Sequence, residues 1–485
     1  MENALPVLVT LLPIVLAPMV YWMDDDRLKN TFASIVALFT LCLALLMIPP
    51  VLSGDFPECV LVSGDVSIIG ISFFVDEIGL IMSISISFLW VLAMIYSRGY
   101  MSGEKNIKRY YAFMLLSLGA TMGIVTAKNL FSLYIFFEVM TVTTYVFVIH
   151  EETPEAMYAG KLYIYILLAF GVLLLFPILA TYVLTGSLDM NTPGLFLSGN
   201  TTMHFVIFVC YMLGFGAKAG LFPLHIWLPK AHSIAPAPAS ALLSGVLIEI
   251  GAYGMIRVIF NIFGVGMITQ EMWILLAVLA SINIFFGSAV AISQREIKTL
   301  LAYSSIAQMG YIMLGIAFLA SQGLTGSVFH IFNHVFMKGC LFLCAGAIIH
   351  ETGIRNVEDF RGLGKAMPKT MFAFTIAALA MIGIPPLNGF ASKWILCMGA
   401  LESGSAASAF FVFLLLLSSL MSVIYFLPLI MRAYFENGDV KGRDPGVWMM
   451  LPILVLALGC VIFGIYSQPI IELIGGFALK VFMVV

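Results

Sequence analysis

The sequence predicts an all-α polytopic membrane protein of about fourteen transmembrane helices, with two inverted five-helix repeats and with helices 7 and 12 broken. Three observations predict it: a lipid-like composition, apolar stretches recurring from end to end, and prolines at matching places in two long spans. Hydrophobic residues fill 61% of the 485 positions and charged residues only 10%, against roughly 25% charged in soluble domains. That balance excludes a soluble enzyme.

Crossing the hydrocarbon core takes about 20 apolar residues. Such stretches fall at 4–22, 31–50, 77–97, 110–127, 129–149, 156–186, 202–232, 237–262, 272–292, 299–319, 325–349, 369–401, 408–432 and 447–469. The first is followed directly by Asp24, Asp25 and Asp26, with no small-residue cleavage site, so it reads as a retained helix and not a signal peptide. Trp22, Trp273 and Trp448 lie near span ends and suit interfacial anchors.

The seven cysteines show no CxxC pair and mostly fall inside spans, so they read as small core residues and not as metal ligands or a disulfide frame. Most of the 23 Lys and Arg sit in or beside the loops after odd-numbered spans, from Arg27 and Lys29 through Arg98 and Lys298 to Arg443; the opposite side has Lys128, Lys480 and Arg257. Basic residues accumulate on the cytoplasmic face. The expected setting is therefore the cell's inner membrane, with both termini on the non-cytoplasmic side.

Spans seven and twelve are too long for one straight crossing and carry interruptions at Pro223 and Pro229, and at Pro385 and Pro386. Backbone freed by a break is tolerated at membrane depth only where protein or water satisfies it, and paired breaks in two halves point to a conduction path. Pairing spans 4–8 with 9–13 aligns the breaks. Because five is odd, the second unit must enter from the opposite face. The resulting division is 1–109 (helices 1–3 with an outer-face hairpin in 51–76), 110–262 (helices 4–8), 263–432 (helices 9–13) and 433–485 (helix 14).

Ionisable side chains near mid-membrane are costly and are functional candidates by default. Here they form a series: Glu138 in span five, Lys218 before the break in span seven, Glu249 in span eight, Lys338 in span eleven and Lys393 after the break in span twelve. His330, His334 and Lys338 recur at i, i+4 and i+8 on one helix face, about 6 Å apart along the axis. A buried Lys is pushed toward neutrality by desolvation and toward its charged form by a nearby carboxylate, so such pairs can be toggled by a passing proton. A set of structural ion pairs and backbone-bonded histidines is the bland alternative. A haem is disfavoured because histidines on one helix cannot bind one iron from opposite faces, and no facing His-bearing helix is evident.

Four stretches resemble one known family: Gly214–Arg257 (GFGAKAGLFPLHIWLPKAHSIAPAPASALLSGVLIEIGAYGMIR), Ser293–Tyr311 (SQREIKTLLAYSSIAQMGY), His330–Ala347 (HIFNHVFMKGCLFLCAGA) and Gly383–Trp394 (GIPPLNGFASKW). Together they resemble the antiporter-like subunits shared by respiratory complex I, Mrp-type Na+/H+ antiporters and energy-converting membrane-bound hydrogenases. The resemblance implies that Glu138 is the fifth-helix glutamate, that Lys218 is the seventh-helix lysine pairing with it, that His334 and Lys338 are titratable positions of the eleventh helix, and that Lys393 is the exit-side lysine of the twelfth. His330 is a weaker transfer, one turn earlier. Glu249 departs from the pattern, because relatives usually carry lysine there; the acid keeps the site titratable and makes the cavity more welcoming to a cation.

The chain ends soon after span fourteen, without the long lateral helix of the largest members, which favours the Mrp D-type or a corresponding hydrogenase or complex I subunit. The expected function is a proton-translocating antiporter-like subunit of a multisubunit membrane complex, with other membrane subunits as partners and protons, and in some cases Na+, as cargo. No nucleic acid partner and no cofactor are expected. With no nucleotide loop, haem pair or iron–sulfur cysteines, the sequence shows no redox site of its own, so partners must supply the driving force. A stand-alone cation/proton transporter and a non-conducting scaffold are the rivals.

Overall fold

A computed structural model describes residues 2–62, 70–191 and 201–483. Each of the fourteen apolar spans falls on a helix or a broken helix, numbered here by span. They are α1 (Leu5–Leu16, continued by a 3-10 turn at Ala17–Trp22), α2 (Asp26–Leu45), α3 (Glu77–Tyr100), α4 (Ile107–Val125), α5 (Leu130–Val148), α6 (Pro154–Thr185), α7 (Thr201–Ala219 and Trp227–Ile234), α8 (Ala237–Phe263), α9 (Gln270–Ile292), α10 (Ile297–Ala317), α11 (Ser321–Thr352), α12 (Pro368–Ile382 and Asn388–Glu402), α13 (Ser408–Phe435) and α14 (Val447–Ile465). Among the described residues, twelve of these are long and apolar enough to cross a membrane by length and composition. The other two are α4, with 19 residues, and α12, whose break leaves two halves of 15 residues each.

Side-chain caps start several helices. Asn129 accepts from the Ser132 amide at 2.7 Å ahead of α5, and Thr153 accepts from Ala156 at 3.1 Å ahead of α6, with Pro154 in the first turn, where an amide would go unused. Ahead of α3, Asp76 accepts from Gly79 at 2.9 Å. Within 51–76 an antiparallel hairpin pairs Glu58–Val62 with Ile71–Phe74, in a register that sets Glu58 against Phe74 and Val60 against Ser72. Its connection, 63–69, lies outside the described residues.

The core is the pair α8 and α11. Every residue of α8 is buried, as is Gly323–Ile348 of α11. Helices apolar on all sides belong inside other helices or in lipid. The outer helices show lipid-facing chains instead, such as Ile35 and Leu38 on α2, Val172 on α6, Phe285 on α9 and Leu416 on α13. Close approach at the centre depends on a missing side chain: a Cβ at Gly251 of α8 would stand 2.6 Å from the Ala219 nitrogen and the Phe215 oxygen of α7.

Both long spans are broken, and glycine makes each break possible. Gly220 at φ 69° ends the first half of α7 and Gly383 at φ 95° ends the first half of α12. That left-handed conformation penalises any residue with a Cβ. Pro229 does not interrupt α7 as expected: it occupies the first turn of the second half, where its missing N–H costs no helical bond. The freed backbone finds partners, as membrane depth demands. The Phe222 amide donates to Asn283 Oδ1 at 2.7 Å, and Trp227 Nε1 donates back to the Ala217 carbonyl at 2.9 Å.

Two further departures are structural. α8 is not a regular helix, since Leu243–Leu247 and Arg257–Phe263 are wound as π-helix on either side of Glu249. The 433–485 region carries a second helix beyond α14, here α15 (Gln468–Met483). At 16 residues it is shorter than a crossing segment, so a search for 20-residue apolar runs passes over it. It buries Ile474, Phe477, Ala478 and Val481, and Lys480 pairs with Glu77 at the start of α3.

Candidate functional site

Six of the seven expected residues, Lys218, Glu249, His330, His334, Lys338 and Lys393, form a buried belt between the break in α7 and the break in α12, and Glu138 is half-buried on α5. At its first end Lys218 is wholly buried one residue before the end of the first half of α7. Helix carbonyls there carry partial negative charge that favours a cation. Its ammonium donates to Tyr163 Oη at 3.0 Å, and that hydroxyl lies 2.5 Å from Thr144 Oγ1. Trp227 stands edge-on to Tyr163 at 5.0 Å, so the second half of α7 packs directly on the lysine's acceptor. Glu138 is half-buried on α5 and its Oε1 has no hydrogen-bond partner. The expected ion pair with Lys218 is not formed in this structure; the two charges interact only through their fields.

At the centre, Glu249 follows the π-wound turn of α8. Such turns insert an extra residue and re-aim the side chains after them, often at functional sites. Glu249 Oε1 lies 2.6 Å from His334 Nδ1, both side chains being completely buried. Neither group has a well-aligned hydrogen bond, so this is a close ionisable contact whose directional bond is not made. The cation whose field reaches Glu249 is Lys338.

On α11 the three titratable groups share a face. The His330 and His334 rings are 6.3 Å apart. His330 is held at both nitrogens, Nδ1 by Ser392 Oγ and Nε2 by Gln308 Oε1, each at 2.9 Å, so it can pass a proton from one side while its other nitrogen stays bonded. Lys338 donates to the Leu301 carbonyl at 2.8 Å and to Ser304 Oγ, both on α10. A Ser244–Ser305 bond of 2.7 Å ties α8 to α10 beside them.

At the far end Lys393 reaches back across the break in α12. It donates to the Met381 and Ile382 carbonyls at 2.7 and 3.1 Å and to Ser419 Oγ at 3.1 Å. Those three acceptors match the three donors of an ammonium. Tyr311 stacks on His330 at 5.8 Å and lies beneath Lys393 at 4.8 Å, joining the α11 series to this end. α11 and α12 are also locked by a reciprocal pair: Asn333 donates to the Asn388 carbonyl at 3.0 Å and Asn388 to the Asn333 carbonyl at 3.3 Å.

Sequence reasoning missed further buried charged or titratable residues, His232, Lys298, Arg257 and Asp76 among them. His232, in the second half of α7, is fully buried with neither nitrogen bonded, stacks on Phe342 at 4.7 Å, and lies in the fields of Lys338 and Lys298. Its place three residues after Pro229 in LPKAH was the available signal. Lys298, read as a loop charge, is buried at the start of α10 and donates to the Ala235 carbonyl at 2.9 Å. Arg257, read as an outer-side charge, is only 3% exposed and grips Asp76 with two bonds of 2.6 and 2.7 Å. Burial pushes the Asp76 carboxyl up, but the guanidinium beside it outweighs that and holds it below the usual carboxylate range.

The family described as "NADH:quinone oxidoreductase/Mrp antiporter, TM" matches residues 127–422, which contain the whole belt. The chain belongs to this family. A second description, "NADH-Ubiquinone oxidoreductase (complex I), chain 5 N-terminus", matches residues 62–111 of the same antiporter-like chain. It is 33% identical to NADH-quinone oxidoreductase subunit N of Desulforudis audaxviator over 99% of both chains. It is 31% identical to the D-type Na(+)/H(+) antiporter subunit of Alkalihalophilus pseudofirmus over 83% of this chain and 82% of that one. A chain of the Mrp complex from a Dietzia species superposes with a TM-score of 0.88 at 23% identity, covering 99% of this chain and 97% of that one, which establishes the fold. A chain of a membrane-bound sulfane sulfur reductase, an archaeal respiratory membrane complex, superposes at 0.86 with 26% identity, covering 99% and 96%. The protein is an antiporter-like multi-pass membrane subunit.

Proposed function

We propose that this subunit carries protons along the buried belt, between water on one face near Lys218 and water on the other near Lys393. The contact of 2.6 Å between Glu249 and His334 carries the reading, because it joins the half built on α7 and α8 to the series on α11. A proton entering at Lys218 moves past His232 to the Glu249–His334 pair, is exchanged with Lys338, and leaves through His330 and Lys393. Glu138 acts on Lys218 through its field.

The lysines differ in how fully they are held. Among the described residues Lys393 has three acceptors, Lys338 two and Lys218 one. An ammonium with unmet donors in an apolar interior is costly. Lys218, with the fewest bonds to break, is therefore the group most readily switched by a charge nearby.

The subunit works within a multisubunit assembly of the complex I, Mrp or hydrogenase type, in the inner membrane, with both termini away from the cytoplasm. Neighbouring subunits supply the driving force. Helices α4–α8 and α9–α13 form the two inverted units, and α1–α3, α14 and α15 flank them. Lys338→Met tests the reading: in the assembled complex in proteoliposomes it should abolish proton flux while assembly is retained. Wild-type flux in that variant refutes it.

A further inference from the structure

We propose a phospholipid site between α2, α3 and the start of α14, filled by one lipid whose headgroup carries both a phosphodiester and an amine. A cavity of about 690 Å³ lies at the helix ends, with Asp24, Asp25, Asn30, Arg98, Tyr111 and Trp448 in its wall. An apolar groove of about 210 Å³ runs from it down the membrane-facing side, between Ile35 and Leu38 of α2 and Val91 and Ile95 of α3. The two share Asn30, Arg98 and Trp448, so they form one continuous cleft. Apolar below and charged above, the cleft has the polarity of a lipid molecule standing in its own leaflet.

Arg98 points to the chemistry of the occupant. Its guanidinium carbon stands over the Trp448 ring, 4.1 Å from the centroid. That contact leaves its N–H fork free for a planar or bidentate acceptor. Among the described residues it has no carboxylate partner: Asp26 pairs with Lys29, and Asp24 makes only a long, exposed contact with Lys108 at 3.5 Å. A phosphodiester matches that fork with two parallel bonds. Trp448 beside it sits where tryptophans mark the headgroup level.

Asp24 and Asp25 line the cavity, together with Arg27, and do not line the groove, whereas Arg98 lines both. Asp25 caps the Arg27 amide at 2.8 Å, which leaves its other oxygen open, and Asp24 is fully solvent-exposed. The order along the cleft is thus apolar, cationic, anionic. An ethanolamine phospholipid presents the complementary order of acyl chain, phosphate and ammonium, whereas a glycerol headgroup offers the acids nothing. The conduction belt contributes no residue to this site.

The test exchanges the full chain into nanodiscs with equal ethanolamine and glycerol phospholipids, strips it with graded detergent, and identifies the retained lipid by native mass spectrometry. Wild type should keep one ethanolamine phospholipid. Arg98→Gln should lower that retention about tenfold, the loss of one charge-assisted contact. Ile35→Trp, which fills the groove and leaves Arg98 in place, should expel the lipid as well, and it decides the matter if the arginine variant does not fold. Wild-type retention in either folded variant overturns the site. Equal retention of the two headgroups by wild type overturns the role of the acids.

Discussion

Asp76→Asn should destabilise the protein more than any other single change near the ends of the bundle. Asp76 receives two short bonds from Arg257, at 2.6 and 2.7 Å, and both side chains are almost fully buried. The substitution leaves the buried guanidinium with neutral acceptors only, one amide oxygen and Tyr253 Oη at 2.9 Å, and no compensating charge. Removing one member of a buried ion pair costs about 3–5 kcal/mol, because the other charge stays behind. Arg257→Met in the same chain should recover most of that loss, since it withdraws the uncompensated charge. The pH dependence has a definite sign. Asp76 is held below its usual range in the folded state, so its contribution is complete above the ordinary carboxylate pKa of about 4 and disappears as pH falls through the lower folded value. Unfolding in graded denaturing detergent should show a constant gap between wild type and Asp76→Asn from neutral pH down to about 5, closing below about 4. A variant as stable as wild type at pH 7, or a gap that widens in acid, refutes the reasoning.

Lys218→Ala should impair proton flux strongly, while Glu138→Gln, which removes only a field and no bond to Lys218, should impair it less, with both variants inserting and assembling; equal flux in Glu138→Gln and wild type would make that carboxylate structural. Superposing α4–α8 on α9–α13 should require a two-fold rotation about an axis in the membrane plane, and a same-way-up match would exclude the inverted repeat.

The His330, His334 and Lys338 series was legible because a helix turns spacing into position: residues at i, i+4 and i+8 must share a face. The break in α12 was legible from adjacent prolines that no continuous helix accepts, and Lys393 follows it closely enough to reach back to the freed carbonyls. The contact between Glu249 and His334 was not legible, because it depends on how α8 rotates through its π-wound turns, and hydrophobic periodicity carries no trace of that rotation where every face is buried. Arg257 looked like an outer-side charge and Lys298 like a loop charge. Each sits at a span end, where only tertiary packing decides between water and a buried partner. Helix α15 escaped notice by its length, and Pro229 misled because a proline in a first helical turn reads, in sequence, like a break.

The Glu249–His334 link is the point at which conduction along the belt stands or falls. Its direct measurement is proton flux through the assembled complex in proteoliposomes across pH, with Glu249→Gln and Glu249→Lys compared against wild type. An amide of the same shape cannot take up and release a proton, and a positioned proton-transfer group is worth roughly 100-fold or more in rate. Flux in Glu249→Gln should therefore fall by at least about 100-fold at every pH. Glu249→Lys restores a titratable group but sets a second cation beside Lys338 and His334, so partial flux with a displaced pH optimum is expected. Wild-type flux in Glu249→Gln would contradict the relay and show that protons cross between the two halves without this carboxylate.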